Sequence, residues 1–157
     1  MKLCSIIVLL FIGCSSQKKI VADKVTKSGA SEIVFEQLVQ SSVGGYEHPQ
    51  IKVFKEQKAL EETFGYINSF RKPGFPIPSK IDFSKETVVA VFMGQKNTGG
   101  YAVSVQEVIE LDGKVKVFIE EKSPGKKDMV TMAITQPFCV VKINTSKEII
   151  FEKRVVK

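Results

Sequence analysis

Apolar runs and turn residues alternate along the second half of the chain in a pattern typical of consecutive β-strands. Between two of these runs, Asp112-Gly113 predicts a type I′ hairpin turn, because both central residues of that turn need a positive φ, which aspartate tolerates and glycine adopts freely. The valines of the two arms share one face only if a bulge near Glu107-Val108 restores the alternation. The predicted strands are 87–93, 101–111, 114–121, 129–134, 138–143 and 148–155.

The first half of the domain changes its hydrophobic period once. Strands are predicted around 33–39 and at 51–54, where residues that suit a half-buried pleated surface recur. The spacing then becomes three to four residues, which predicts an amphipathic helix that packs on a sheet and ends before Pro73-Gly74. Its apolar stripe is Leu60, Phe64, Ile67 and Phe70. These elements predict a single α+β domain over 31–157, with a mainly antiparallel sheet that curls toward a barrel or sandwich and one packed amphipathic helix.

The N-terminus predicts export. A charged start precedes an apolar run at 3–13 that is too short to span a bilayer as a helix, as in a signal peptide. Gly13-Cys14-Ser15-Ser16 then resembles a bacterial lipoprotein box, in which the cysteine is diacylated and becomes the mature N-terminus. We expect a signal peptide at 1–13, a lipidated Cys14 with a flexible tether at 14–30, and a location in the bacterial cell envelope, attached to a membrane by this lipid. An ordinary signal peptide with a chance cysteine is the alternative.

Composition and charge exclude several classes of function. The 157 residues carry 23 Lys and Arg against 17 Asp and Glu, a modest net charge of +6, and nucleic acid is not an expected partner of an exported protein. One histidine, His48, and three cysteines offer too few ligands for a metal site. No Gly-x-Ser-x-Gly motif is present, and the only histidine that could act as a base, His48, lies in a predicted loop. We therefore expect no catalytic residues, no metal and no cofactor, and we expect Cys139 to be a buried, unreactive thiol.

A glycine-rich loop at 94–101 is the strongest candidate for a binding element. Its glycines are spaced as in a phosphate-binding loop, but Gly100-Tyr101 stands where such a loop needs Lys followed by Ser or Thr, so a nucleotide site is excluded. Two interpretations stay open: a glycine-rich turn with a core tyrosine, or a loop whose backbone amides and tyrosine ring contact a protein partner. The candidate partner-binding residues are Asn97, Thr98, Gly99, Gly100 and Tyr101.

Several short segments stand in the order found in one known family. They are 81–86 before a strand, Gly94, the Thr-Gly-Gly-Tyr element at 98–101, Ser123-Pro124 and Gln136-Pro137-Phe138. Together they resemble the PrcB C-terminal domain family, named after an accessory lipoprotein of a bacterial surface protease complex, over about residues 81–151. The resemblance implies a non-catalytic envelope lipoprotein that binds or stabilises a protein partner, with an exported protease as the candidate.

A second resemblance implies an inhibitor. Asn97-Thr98-Gly99-Gly100-Tyr101 is similar to the Asn-Pro-Thr-Thr-Gly-Tyr loop of chagasin-type cysteine protease inhibitors, although the proline is absent here. This likeness implies the alternative function, a protease inhibitor that inserts the loop into a protease active site. The sequence leaves open whether this loop lies at the same end of the sheet as 123–128 and 135–138.

Overall fold

The computed structural model describes residues 29–156, which form eight strands and one helix. The predicted signal peptide, Cys14 and most of the predicted tether lie outside the described residues. In the described part, no helix has the length and apolar character that crossing a bilayer would need. In chain order the elements are β1 (Ser31–Glu32), β2 (Phe35–Ser41), β3 (Gln50–Phe54), α1 (Gln57–Ser69), β4 (Thr87–Phe92), β5 (Ala102–Leu111), β6 (Lys114–Lys122), β7 (Phe138–Ile143) and β8 (Ile149–Val156).

The strands form two four-stranded sheets that pack face to face. One sheet has the order β1-β5-β6-β8 and the other the order β2-β7-β4-β3. Every strand pairing in them is antiparallel except that of β6 with β8. The apolar layer between the sheets is built from side chains such as Val91 of β4, Val105 of β5 and Val117 of β6. The described residues therefore form a sandwich rather than a closed barrel.

The helix covers the outer face of the second sheet. Leu60, Phe64 and Ile67 of α1 are fully buried, and they share one apolar cluster with Phe92 and Phe138 from that sheet. The central strands β4 and β7 consequently lie between two apolar layers, which explains why both consist almost entirely of apolar residues. The predicted α+β class with one packed amphipathic helix is confirmed.

The predicted hairpin turn is also confirmed. Asp112 and Gly113, between β5 and β6, have φ angles of 52° and 74°, as a type I′ turn requires. The register shifts between Val105 and Glu107, so the bulge lies immediately before its predicted position. The valines of both arms then face the layer between the sheets, as expected.

One predicted strand is wrong. Residues 129–134 form no strand and belong to the loop between β6 and β7, where an isolated bridge joins Thr135 to Lys96. The segment is an apolar run between turn signals, but Met129 is 100% exposed and Met132 is 89% exposed. Apolar residues specify a strand when one of its faces is buried against a partner layer. Neither methionine has such a layer above it.

The end of the predicted helical stripe is wrong as well. The helix ends before Pro73-Gly74 as expected, but Phe70 is its C-cap residue and is 63% exposed. The ring of Phe70 meets that of Tyr66 edge-on, with 5.1 Å between the ring centroids. Because the helix has already ended, its period no longer places the Phe70 side chain over the sheet.

Cys139 is a buried free thiol, as predicted. Its side chain is 0% exposed in β7. Burial raises the pKa of the Cys139 thiol to about 12. The thiol therefore stays protonated at neutral pH, which removes the thiolate that cysteine chemistry requires.

Candidate functional site

Three long loops meet at one end of the sandwich, which we call the loop end. The loop end comprises 42–49, 93–101 and 123–137. The strand register brings them together: Phe92 at the end of β4 pairs with Phe138 at the start of β7. Likewise, Ala102 at the start of β5 pairs with Lys122 at the end of β6. The candidate loop therefore lies beside the 42–49 and 123–137 loops. The two segments whose location the sequence left open, 123–128 and 135–138, both begin within the 123–137 loop.

The opposite end of the sandwich, which we call the hairpin end, carries the Asp112-Gly113 turn. Ser31, at the start of β1, pairs with Glu110 near this turn, so the chain enters the described domain at the hairpin end. The strand β5 runs from one end to the other. At about 3.3 Å per residue, its length separates the two ends by about 30 Å.

Hydrogen bonds join the candidate loop to the 123–137 loop. The backbone N–H groups of Lys96 and Thr135 donate to each other's carbonyl oxygens at 2.8 and 2.9 Å. The Gly99 N–H donates to the Thr131 carbonyl at 2.9 Å. The Thr135 hydroxyl donates to the Thr98 carbonyl at 2.8 Å. The amides of Lys96 and Gly99 are therefore used inside the fold and are not offered to a partner.

The two glycines of the Thr-Gly-Gly-Tyr element allow this close approach. A Cβ on Gly99 would overlap the Thr131 hydroxyl. Gly100 has a φ of +88°, and a Cβ there would lie 3.0 Å from the Cβ of Pro124. Glycine is therefore required at the first position by packing and at the second by both packing and backbone conformation.

The third loop is tied to the other two. The Gln95 N–H donates to the Glu47 carbonyl at 2.8 Å. The Gln136 N–H donates to the Ser42 carbonyl at 2.9 Å, and the Gln136 carbonyl accepts from the Gly45 N–H at 3.1 Å. Because backbone groups make all three bonds, the loops form one framework whose geometry depends little on side-chain rotamers.

The predicted partner-binding residues differ in what they present to solvent. Asn97 and Gly100 are exposed, Thr98 and Tyr101 are half-buried, and Gly99 is buried. The Tyr101 ring packs against the apolar layer between the sheets. A glycine-rich turn with a core tyrosine therefore accounts for Gly99 and Tyr101, whereas contact of Asn97 and Gly100 with a partner stays a prediction.

The framework presents apolar side chains that the sequence reasoning missed. Met129 is 100% exposed, Met132 is 89% exposed and Ile134 is 63% exposed. We call these three residues the Met patch. Lys126 and Lys127, which precede it in the same loop, are also exposed. The loop end therefore combines an apolar surface with positive charge at its margin.

A signal for the Met patch was present in the sequence. The apolar run is bounded by Ser123-Pro124-Gly125 on one side and by Gln136-Pro137 on the other. Turn residues on both sides of a short run are compatible with a single long loop as well as with a strand. The apolar character of the run favoured the strand, and this pointed to the wrong structure.

The exposed apolar side chains of the loop end suit contact with a protein. Within residues 29–156, no group of His, Cys, Asp and Glu side chains is placed to hold a metal ion, and His48 is exposed in the 42–49 loop. Methionine side chains are flexible and polarisable, and they are common at surfaces that adapt to a partner. Apolar side chains exposed together on a hydrogen-bonded framework are typical of an interaction surface.

Comparison with known proteins identifies one family. Residues 87–144 match the model of the family described as PrcB C-terminal, so the resemblance predicted from the sequence is confirmed over this segment. The match runs from β4 to the residue after β7 and includes the loops 93–101 and 123–137. No curated protein and no solved structure matches the chain.

Proposed function

We propose, from the PrcB C-terminal match at 87–144, that this chain is a non-catalytic lipoprotein of the bacterial cell envelope that binds and stabilises an exported protease. The family takes its name from an accessory protein of a protease complex, which supports a protease as the partner. Cys14 is the proposed lipidation site, and the lipid is the proposed attachment to the membrane. The loop end is the proposed contact surface.

The exposure of the Met patch is the observation that carries this proposal. Leaving Met129, Met132 and Ile134 in water forgoes the stabilisation that their burial would provide, about 25 cal/mol for each Å² of apolar surface. A partner that covers them recovers this free energy on binding. The exposed ammonium groups of Lys126 and Lys127 favour a partner surface that is acidic at its margin, because charge complementarity speeds association and sets orientation.

The position at which the chain enters the domain supports a protein partner rather than a lipid surface. A lipid on Cys14 would hold the domain through the segment that leads to Ser31, which lies at the hairpin end. The Met patch lies at the other end, about 30 Å away along β5. In this orientation the Met patch faces away from the membrane.

The inhibitor alternative has less support. Insertion into an active-site cleft needs a projecting loop, but Gly99 is buried and its N–H is bonded to Thr131. The activity of a recovered protease separates the two functions. An accessory protein leaves the bound protease active, whereas an inhibitor blocks it.

The proposal is tested by recovery of the partner from the native host. Full-length protein is crosslinked lightly, purified and analysed by mass spectrometry, with the triple variant Met129→Ser, Met132→Ser, Ile134→Thr beside it. The affinity tag is placed within residues 15–28, because the Val156 carbonyl accepts a hydrogen bond from Ser123 and a C-terminal tag would lie at the loop end. We expect one exported protease to be recovered with the native chain and to be lost with the triple variant.

A matched control changes exposed apolar residues elsewhere. Val34 is 74% exposed and Ile150 is 40% exposed, and both lie outside the loop end. The double variant Val34→Thr, Ile150→Thr should recover the protease as the native chain does. Equal recovery with the Met-patch variant, or recovery of abundant envelope proteins only, would contradict the proposed surface.

The proposed lipidation has its own test. Cys14→Ala should abolish incorporation of radiolabelled palmitate and release the protein from the membrane fraction. Cys139→Ala is the control, because this buried thiol is the other cysteine beyond the predicted signal peptide. Labelling that survives Cys14→Ala would exclude Cys14 as the lipidation site.

A further inference from the structure

A second cleft lies away from the Met patch, between β3 and the helix α1. It has a volume of about 430 Å³ and is open to solvent. Lys52 of β3, Thr63 of α1 and Tyr46 of the 42–49 loop line it, together with Glu62. These side chains come from three separate elements, so only the tertiary fold brings them together.

Lys52 is the central group of this cleft. Its Nζ lies 2.8 Å from the Tyr46 hydroxyl oxygen and 3.5 Å from the Thr63 hydroxyl oxygen. It also lies 4.3 Å from the centroid of the Tyr46 ring. Among residues 29–156, no carboxylate oxygen forms an ion pair with it. The half-buried ammonium group thus has neutral hydrogen-bond partners, and Glu62, which lines the same cleft, forms no ion pair with it.

Two other half-buried lysines of the same fold have carboxylate partners. Lys142 pairs with Glu36 at 3.1 Å and with Glu86 at 3.3 Å. Lys116 pairs with Glu152 at 3.5 Å. Lys52 lacks such a partner, as does half-buried Lys96, whose ammonium group lies 5.6 Å from the centroid of the Tyr101 ring. Lys52 differs from Lys96 in having two hydroxyl oxygens within 3.5 Å of its Nζ.

The two hydroxyl groups add hydrogen-bond donors. An ammonium group can only donate, so both hydroxyl oxygens accept from Lys52 and their own protons stay available. No described residue accepts the proton of either Tyr46 or Thr63. Thr63 is only 4% exposed, so its hydroxyl has little access to bulk water. One cation and two hydroxyl donors therefore converge on the same cleft.

The donors are held in place before any ligand arrives. The Tyr46 ring stacks on Tyr66 with 4.3 Å between centroids and an angle of 3° between planes, and it meets Phe92 edge-on at 4.7 Å. The backbone of Lys52 is fixed by its pairing with Ala90 in β4. Its ammonium group is held by the Tyr46 and Thr63 hydroxyls. Preorganised donors lose little conformational entropy on binding, which favours even a small ligand.

We propose that this cleft binds a carboxylate group, such as the C-terminus or an acidic side chain of a peptide. A carboxylate supplies the missing negative charge beside Lys52 and acceptors for the two hydroxyl protons. Glu62 lines the same cleft, and its negative charge repels a doubly charged ligand such as phosphate more strongly than a singly charged carboxylate. The site does not depend on the Met patch or on the identity of any protease partner.

The test uses acetate as the probe and the full-length chain. Acetate replaces chloride at constant ionic strength, and NMR signals of the Lys52 side chain and of the Tyr46 ring are followed. We expect saturable shifts that Lys52→Gln abolishes. Tyr46→Phe keeps the stacked ring and Thr63→Val keeps the side-chain shape, and each should weaken acetate binding by about tenfold to a hundredfold, as expected for one hydrogen bond to a charged group.

Lys55→Gln is the matched control. Lys55 directly follows β3 and is exposed, so its loss removes a nearby positive charge without changing the cleft. This variant should bind acetate as the native chain does. Linear shifts without saturation, or acetate binding that Tyr46→Phe and Thr63→Val leave unchanged, would overturn the proposal. Tighter binding of inorganic phosphate than of acetate would overturn the assignment to a carboxylate.

Discussion

The connections at the two ends of the sandwich differ in length, apart from the segment 55–86, which contains the helix and joins β3 to β4 at the hairpin end. At the hairpin end, Asp112-Gly113 joins β5 to β6, and Ile33-Val34 joins β1 to β2. At the loop end, 93–101 joins β4 to β5, and 123–137 joins β6 to β7. The extra chain at the loop end is not needed to reverse direction, because two residues are sufficient for a hairpin.

The difference between the ends lies in how each is stabilised. The hairpin turn depends on the φ angles of two adjacent residues, a local property. Ordering a longer loop costs roughly 1–2 kcal/mol of backbone entropy per residue, so it persists only where other contacts offset this cost. Hydrogen bonds between loops, such as the reciprocal pair of Lys96 and Thr135, provide these contacts.

The ends also differ in their exposed surface. The hairpin end exposes Val34 singly, and isolated apolar residues are ordinary on protein surfaces. The loop end exposes Met129, Met132 and Ile134 within one short segment. Joining two strands does not require a long loop with apolar side chains exposed to solvent. Contact of these side chains with a protein partner explains why such a loop is present.

Truncating the buried aromatic side chain of Phe138, next to the loop end, should have the largest effect on the free energy of unfolding. Phe138 is fully buried, with its ring centroid 5.6 Å from that of Phe92 and 6.1 Å from that of Phe75. Phe138→Ala should lower the free energy of unfolding by about 3–5 kcal/mol, because it leaves a cavity where β7 meets the loop end. Urea unfolding measures the loss. Phe70→Ala, at a position 63% exposed, should lower the free energy of unfolding by less than about 1 kcal/mol. Equal losses in the two variants would contradict the placement of Phe138 inside the core and of Phe70 outside it.

A smaller effect distinguishes the glycines of the two ends. Gly99→Val forces a side chain against Thr131 and should cost about 1–3 kcal/mol, whereas Gly113→Ala meets no atom within 4 Å and should cost about 1–2 kcal/mol through its positive φ alone. Amide hydrogen exchange should accelerate at Lys96 and Thr135 in the first variant and stay unchanged there in the second. Unchanged exchange in Gly99→Val would show that the loops are not coupled through this contact.

The smallest effect is a pH dependence confined to the hairpin end. The Ser84 hydroxyl and then the Lys85 ammonium bond to the Asp82 carboxylate and hold its pKa below the ordinary value of 3.8. Since the folded pKa is the lower one, the contribution of Asp82 to stability is present above pH 3.8 and is lost as the pH falls through the folded value. NMR titration should show Ser84→Ala raising the Asp82 pKa toward 3.8. An unchanged pKa in this variant would exclude the hydroxyl as its main cause.

Much of the fold followed from local patterns. The turn at Asp112-Gly113 was predicted because two adjacent residues meet its φ requirement without help from the rest of the chain. The helix was predicted because its apolar positions recur at the helical period, and the error at Phe70 arose where the helix had ended. The strand predicted at 129–134 is wrong because the apolar side chains of Met129 and Met132 have no layer to pack against.

The candidate site was predictable only in part. Asn97 to Tyr101 stood out for their glycines, but the reason for Gly99 is its contact with Thr131, more than thirty positions along the chain. The cleft at Lys52 had no sequence signal, since Tyr46, Lys52 and Thr63 form no recognisable motif.

Residue patterns alone were sufficient for the α+β class, the hairpin, the helix, the buried Cys139 and the family resemblance later matched at 87–144. Each of these features depends on residues close together in the sequence or on the order of short motifs along it. The convergence of three loops, the exposure of Met129 and Met132 and the unpaired charge of Lys52 required the three-dimensional packing. Burial and hydrogen bonding between distant segments are set by which surfaces meet after folding, and hydrophobic periodicity contains no information about that choice.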